Sequence, residues 1–84
     1  MVTIYGKANC GFCTKAKEFA RQQELEFEYK DVGLTAFMDE LLEKCEVRPK
    51  SVPQIWVNGT HVGGYNEFVR YVEETGFTGT GYTL

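Results

Sequence analysis

The sequence predicts a single α/β domain in which a four-stranded mixed sheet carries helices on both faces, in the order β-α-β-α-β-β-α. The chain has 84 residues, of which 43% are hydrophobic, so it has room for one domain with a compact core. Segments with the two-residue spacing of strands alternate along it with segments that have helical spacing. Near the end, an Asn58-Gly59 pair between two β-branched runs indicates a tight hairpin.

The first strand and the first helix meet at a pair of cysteines. The β-branched and aromatic run Val2–Tyr5 predicts a strand that starts with the first residues and ends at Gly6. An amphipathic helix of about three turns is predicted to begin at Cys10-Gly11-Phe12-Cys13. Its apolar residues recur at helical spacing among charged ones: Ala16, Phe19 and Ala20.

The next strand and helix complete a βαβ unit and extend it. Residues 26–31 alternate with period two, which predicts an edge strand with one wet face. The crossover between the first two strands should be right-handed and the strands parallel. After Gly33, an apolar stripe at i, i+3, i+4 and i+7 predicts a second helix that runs to about Glu46. The stripe consists of Met38, Leu41, Leu42 and Cys45.

The last third of the chain is predicted to form a β-hairpin and a third helix. Strands are predicted over 53–57 and 60–62, joined by a type I′ turn. Gly63-Gly64 ends the hairpin, Asn66 is the predicted N-cap of the third helix, and Gly76 is placed to stop it. We therefore expect a domain over residues 1–76 and a loosely ordered Gly- and Thr-rich tail over 77–84.

Composition and charge exclude several classes of function. The net charge of −3 and the lack of a basic stripe argue against nucleic-acid binding. No run of apolar residues exceeds three, so the sequence predicts neither a membrane helix nor the apolar stretch of a secretory signal. Three cysteines cannot form a closed set of disulfides. We expect a soluble, monomeric protein of the reducing cytoplasm.

The spacing of Cys10 and Cys13 favours redox chemistry. Residues i and i+3 face each other across one helical turn, so the two sulfurs can close a small ring. Attack on a disulfide requires a thiolate, and each pKa unit by which the thiol is acidified corresponds to about 1.4 kcal/mol. We expect the free N–H groups and the dipole of the first helix to stabilise Cys10 as an anion, with Lys7 and Lys15 nearby. Cys10 is then the nucleophile and Cys13, one turn inside, the resolving thiol.

A structural zinc site is the competing interpretation of the two cysteines. It would require two further ligands, and only Cys45 and His61 are available. Cys45 belongs to an apolar helix face, where we expect an inert buried thiol, and His61 lies within a hairpin strand. The spacing fits none of the usual zinc patterns, so we expect no metal.

Three motifs in order make the sequence resemble a dithiol glutaredoxin, a member of the thioredoxin-fold superfamily. They are Cys10-Gly11-Phe12-Cys13, the segment Ser51-Val52-Pro53-Gln54-Ile55 at the third strand, and Gly63-Gly64-Tyr65-Asn66-Glu67 before the last helix. The resemblance extends from Val2 to about Gly76. It implies a thioredoxin-like fold and a glutathione-dependent thiol-disulfide oxidoreductase.

The resemblance also implies a set of glutathione-binding residues. A cis Val52-Pro53 bond would turn the Val52 backbone toward Cys10, where it can pair with the cysteinyl backbone of glutathione. Gly64 and the start of the third helix would receive the γ-glutamyl carboxylate, and Lys7 would face the glycyl carboxylate. The implied contacts are Lys7, Phe12, Ser51, Val52, Pro53, Gly64, Tyr65, Asn66 and Glu67.

Three functions are compatible with the sequence. The first, implied by the resemblance, is the reduction of protein disulfides and glutathione mixed disulfides, with glutathione as the reductant and with clients such as ribonucleotide reductase, which the family is known to serve. The second is delivery of a [2Fe-2S] cluster, because Cys-Gly-Phe also begins the motif of monothiol glutaredoxins, although Cys13 replaces the serine of that motif. The third is a thioredoxin-type reductase served by a flavoenzyme.

Overall fold

The computed structural model describes residues 1–45 and 48–76 and contains the predicted element order. The predicted tail lies outside the described residues. None of the described helices has the length and apolar character needed to cross a membrane. The elements are β1 (Val2–Gly6), α1 (Gly11–Gln22), β2 (Phe27–Asp31), α2 (Thr35–Lys44), β3 (Gln54–Val57), β4 (Thr60–Gly63) and α3 (Tyr65–Thr75).

The four strands form one mixed sheet in the order β2-β1-β3-β4. β1 pairs in parallel with β2 and antiparallel with β3, and β3 pairs antiparallel with β4. The predicted edge position of β2 is confirmed. The hairpin turn has φ values of 49° at Asn58 and 85° at Gly59, both left-handed, as a type I′ turn requires.

Helices cover both faces of the sheet, as predicted. On one face, α1 and α3 pack over the larger apolar cluster, and α2 covers a smaller cluster on the other. The larger cluster contains Val2, Ile4, Ala16, Ala20, Leu25, Ile55, Val57, Phe68 and Val72. The smaller cluster contains Tyr5, Val32, Leu41 and Trp56. Phe68 is fully buried, and Phe19, Phe27 and Tyr29 pack against the larger cluster.

A polar network ties α2 to the sheet. The phenol of Tyr5 donates to the Glu40 carboxylate, and the Nζ of Lys30 lies 2.6 Å from the same oxygen. Burial is the main cause that raises the pKa of Tyr5, whereas the hydrogen bond from Lys30 is the main cause that lowers the pKa of Glu40. Near neutral pH the phenol is therefore protonated and the carboxylate ionised, which is the state that this network requires.

Two features at helix ends differ from the sequence predictions. Asn66 is not the cap of α3: the helix begins earlier, with Gly64 as the N-cap, because the Glu67 carboxylate accepts the Gly64 N–H at 2.9 Å. Cys45 is half-buried rather than buried, because α2 ends at Lys44 and Cys45 caps it in an extended conformation. The cysteine still packs at the margin of the smaller cluster.

Gly6 gives the first testable prediction, because it ends β1 directly beneath the cysteine pair. A Cβ at this position would lie 2.9 Å from the Cys13 Sγ and equally close to the ring of Tyr29. We expect Gly6→Ala to lower the free energy of unfolding by about 1–3 kcal/mol, the usual cost of overpacking a core. Urea denaturation followed by circular dichroism measures this change.

Gly11→Ala is the matched control for this substitution. A Cβ at Gly11 meets no atom within 4 Å, and alanine favours the helix more than glycine does. This variant should be at least as stable as the wild type. A Gly6→Ala protein that is equally stable would show that Tyr29 and Cys13 move aside at no cost, contrary to the prediction.

Candidate active site

The two motif cysteines lie where β1 passes into α1. Cys10 is the N-cap of α1 and Cys13 stands in its first turn, with a Cα–Cα distance of 5.2 Å. The structure shows them joined as a disulfide. The backbone N–H of Cys13 donates to the Cys10 Sγ at 3.2 Å. The helix start therefore directs an amide donor at the first sulfur, as the sequence predicts.

The surroundings of the two sulfurs differ in the way that their expected roles require. Cys13 is 1% exposed, whereas Cys10 is partly exposed. Asn9, just before Cys10, has a left-handed φ of 59°, a conformation that asparagine tolerates better than most residues. The turn at Asn9 leads into the helix cap, where Cys10 can meet an incoming disulfide while Cys13 stays covered.

A second backbone segment runs close to the first sulfur. The Val52-Pro53 peptide bond is cis, which confirms the expectation drawn from the resemblance. The Cys10 Sγ lies 3.7 Å from the Val52 carbonyl oxygen. Main-chain polar groups of Val52 are thus next to the reactive sulfur.

A surface groove extends from the Cys10 sulfur and the Val52 backbone. It lies between the start of α1, the segment that precedes β3 and the start of α3. The rings of Phe12 and Tyr65 stand 6.1 Å apart at its wall, and the Nζ of Lys15 lies 5.2 Å from the Phe12 ring. Phe12 is 54% exposed, so its ring is accessible to a ligand in the groove. The groove is lined by Phe12, Ser51, Val52, Pro53, Gly64, Tyr65, Asn66 and Glu67.

Lys7 is the one predicted binding residue that does not line this groove. It lines a neighbouring cavity that shares Ser51 and Val52 with the first and is bordered by α2. Arg48 and Lys50 line the same cavity, so three cations surround its apolar floor. Sequence reasoning did not single out Arg48 and Lys50, although two basic residues flanking a proline just before Ser51 were a usable signal.

The zinc interpretation finds no ligand set in the part of the chain that the structure describes. Within residues 1–45 and 48–76, no three His, Cys, Asp or Glu side chains come together as a metal site would require. His61 is exposed and its ring stacks on Trp56, with the ring centroids 4.2 Å apart.

The sequence matches the family model described as glutaredoxin over residues 2–62, which includes both cysteines and the cis Val52-Pro53 bond but not the start of α3. The chain belongs to the glutaredoxin family. Glutaredoxin 1 of Escherichia coli strain K12 is 31% identical over 77 residues, which cover 84% of this chain and 91% of that protein.

Solved structures of glutaredoxins share the same fold. The structure of reduced Escherichia coli glutaredoxin has a TM-score of 0.73 at 29% identity and covers 87% of this chain and 93% of that one. The buckwheat glutaredoxin-glutathione complex has a TM-score of 0.69 at 21% identity and covers 87% of this chain and 68% of that chain. The second likeness concerns the fold alone.

The site of this glutaredoxin has the parts needed for thiol-disulfide exchange. A partly exposed sulfur at a helix N-terminus can attack a disulfide as a thiolate, and a covered second sulfur can displace the product. The disulfide between Cys10 and Cys13 is the oxidised end state of that sequence. The protein is a thiol-disulfide oxidoreductase.

Proposed function

We propose that this glutaredoxin uses glutathione as its reductant and reduces protein disulfides and glutathione mixed disulfides in the cytoplasm as a monomer. The observation that carries this proposal is the position of the Val52 backbone beside the Cys10 sulfur, 3.7 Å away, at the mouth of the groove. A cysteinyl residue whose sulfur is bonded to Cys10 would have its own peptide groups opposite Val52, where they can pair as one rung of a β-ladder.

The two ends of glutathione would find complementary charge on either side of Val52. The N-terminus of α3 lies along the groove, and its free N–H groups suit the α-carboxylate of the γ-glutamyl residue. The Glu67 carboxylate lines the same groove and suits the neighbouring ammonium. The cations of the adjoining cavity, Lys7 among them, suit the glycyl carboxylate.

The one-thiol route uses Cys10 alone. Its thiolate attacks the glutathionyl sulfur of a mixed disulfide, and the client cysteine leaves as a thiolate and takes up a proton. A free glutathione thiolate then attacks the glutathionyl sulfur on Cys10. Glutathione disulfide forms, and the Cys10 thiolate returns to its initial state.

The two-thiol route also requires Cys13. Cys10 attacks a client disulfide and forms a mixed disulfide with one client cysteine, and Cys13 then attacks the Cys10 sulfur. The client leaves fully reduced, and the enzyme holds the Cys10–Cys13 disulfide seen in the structure. Two glutathione molecules reduce that disulfide in turn. Disulfide-forming enzymes such as ribonucleotide reductase are the class of client that we propose.

A comparison of electron donors tests the proposal. With a glutathionylated peptide or a client disulfide as substrate, we expect rapid NADPH oxidation when glutathione and glutathione reductase are supplied, because the groove fits the glutathionyl group. Thioredoxin reductase in their place should support little turnover. Preference for thioredoxin reductase would contradict glutathione dependence and favour the thioredoxin-type alternative.

A further inference from the structure

The Gln54 side chain contacts the backbone that precedes the cis bond. Gln54 is the first residue of β3, directly after Pro53, and its side-chain Nε2 donates to the Ser51 carbonyl oxygen at 2.9 Å. The Ser51 carbonyl and the Val52 N–H belong to the same planar peptide unit and point in opposite directions. A bond that fixes the direction of one therefore fixes the direction of the other.

His61 in turn holds the Gln54 amide. Its Nε2 lies 2.8 Å from the Gln54 Oε1, across the β3–β4 pair. Because the Gln54 nitrogen donates to Ser51, the Gln54 oxygen is the acceptor, so the proton of this bond resides on the His61 Nε2. The imidazole is itself oriented by the Trp56 ring beneath it, to which it is tilted by only 19°.

We propose that Gln54 and His61 are positioning residues that orient the Ser51–Val52 peptide for substrate pairing. The chain of contacts runs from the Trp56 ring through His61 and Gln54 to the Ser51 carbonyl, and each link is a contact described above. This inference rests on the proposed function, since the Val52 N–H is the group expected to donate to the cysteinyl backbone of the substrate. Neither residue takes part in the sulfur chemistry.

The alternative is that the same bonds only hold the hairpin together. Ser51 is exposed at the rim of the groove, outside both apolar clusters. The strand pairing of Trp56 with His61 and of Val57 with Thr60 already fixes the hairpin register without the side chains. A stabilising role would therefore change the free energy of unfolding, whereas a positioning role would change substrate use at unchanged stability.

Three variants separate these roles. Gln54→Met keeps the size of the side chain and removes its donor and acceptor, and His61→Phe keeps a ring over Trp56 and removes the Nε2 donor. The third variant combines both substitutions. Thr60→Val is the matched control, because Thr60 is an exposed residue of β4 next to His61. Each protein is assayed with a glutathionylated peptide and glutathione, and its reduced form is alkylated with iodoacetamide, which needs no backbone pairing.

We expect Gln54→Met to lower kcat/KM for the glutathionylated peptide about three- to tenfold, the range of one hydrogen bond. His61→Phe should have a smaller effect, and the double variant should match Gln54→Met, because His61 acts through Gln54. Alkylation of Cys10 should be unchanged in all of them. The amide resonance of Val52 should shift in Gln54→Met.

Three results would overturn the inference. The first is that Gln54→Met leaves both kcat/KM and the Val52 amide resonance unchanged. The second is that the losses of kcat/KM in the two single variants add up in the double variant. The third is that the loss of kcat/KM parallels a fall in the free energy of unfolding measured by urea denaturation. Failure of the wild type to use the glutathionylated peptide would contradict the proposed function instead. The Val52 resonance would still show whether Gln54 orients this peptide.

Discussion

Replacing Cys10 with serine is expected to abolish both the reduction of client disulfides and the removal of glutathione from mixed disulfides. Every route through this site begins with attack by the Cys10 sulfur, which caps α1 and accepts the Cys13 N–H at 3.2 Å. A hydroxyl at this position remains protonated and cannot replace the thiolate. Coupled NADPH oxidation with each substrate class should fall to the uncatalysed rate.

Cys13→Ser is the matched comparison, because it removes the second sulfur and retains the backbone N–H that contacts Cys10. We expect it to remove glutathione from mixed disulfides at a rate of the same order as the wild type and to lose the reduction of client disulfides. Cys13 is almost fully buried, so stability is measured alongside. A Cys10→Ser protein that retains either activity would contradict the assignment of the nucleophile.

Ionisation of Cys10 is the second large effect that we expect. A charge-assisted hydrogen bond contributes about 1.5–3 kcal/mol and the helix dipole about 0.3–2 kcal/mol in favour of the thiolate. At about 1.4 kcal/mol per pKa unit, we expect these contributions to lower the pKa of the Cys10 thiol toward or below neutral pH. In a reduced Cys13→Ser/Cys45→Ser protein, the rate of iodoacetamide alkylation should reach half of its plateau value near or below neutral pH.

The same protein unfolded in urea is the control, because it contains the same single thiol without the helix. Its alkylation rate should keep rising through about pH 8.5, the pKa of a free cysteine. Coincident pH profiles of the folded and unfolded protein would show that the start of α1 does not stabilise the anion. The proposed mechanism would then lack its nucleophile.

Local signals were sufficient to predict most of the fold. The Asn58-Gly59 turn, the alternation of β2 and the helical spacing of the apolar residues each depend on a few consecutive residues. Helix ends were predicted less well, because they depend on contacts with the adjoining loops. Asparagine is a good cap by propensity, yet Glu67 reaches back to the Gly64 N–H and α3 starts before Asn66.

The candidate site was predicted unevenly for the same reason. Cys10 and Cys13 stand in one turn, so their geometry follows from their spacing. The placement of Lys7 in the cavity next to α2 depends on how the β1–α1 loop packs against distant segments. The contact between His61 and Gln54 requires the register of two strands, and no motif indicates it.

The edge position of β2 has a consequence for how copies of this protein behave when crowded. An edge strand presents unpaired N–H and C=O groups, which invite intermolecular sheet extension and aggregation. In β2, charged residues alternate with the aromatic ones, and Lys30 forms an ion pair with Glu40 of α2. A foreign strand docking there would have to dehydrate these charges, which opposes self-association along this edge.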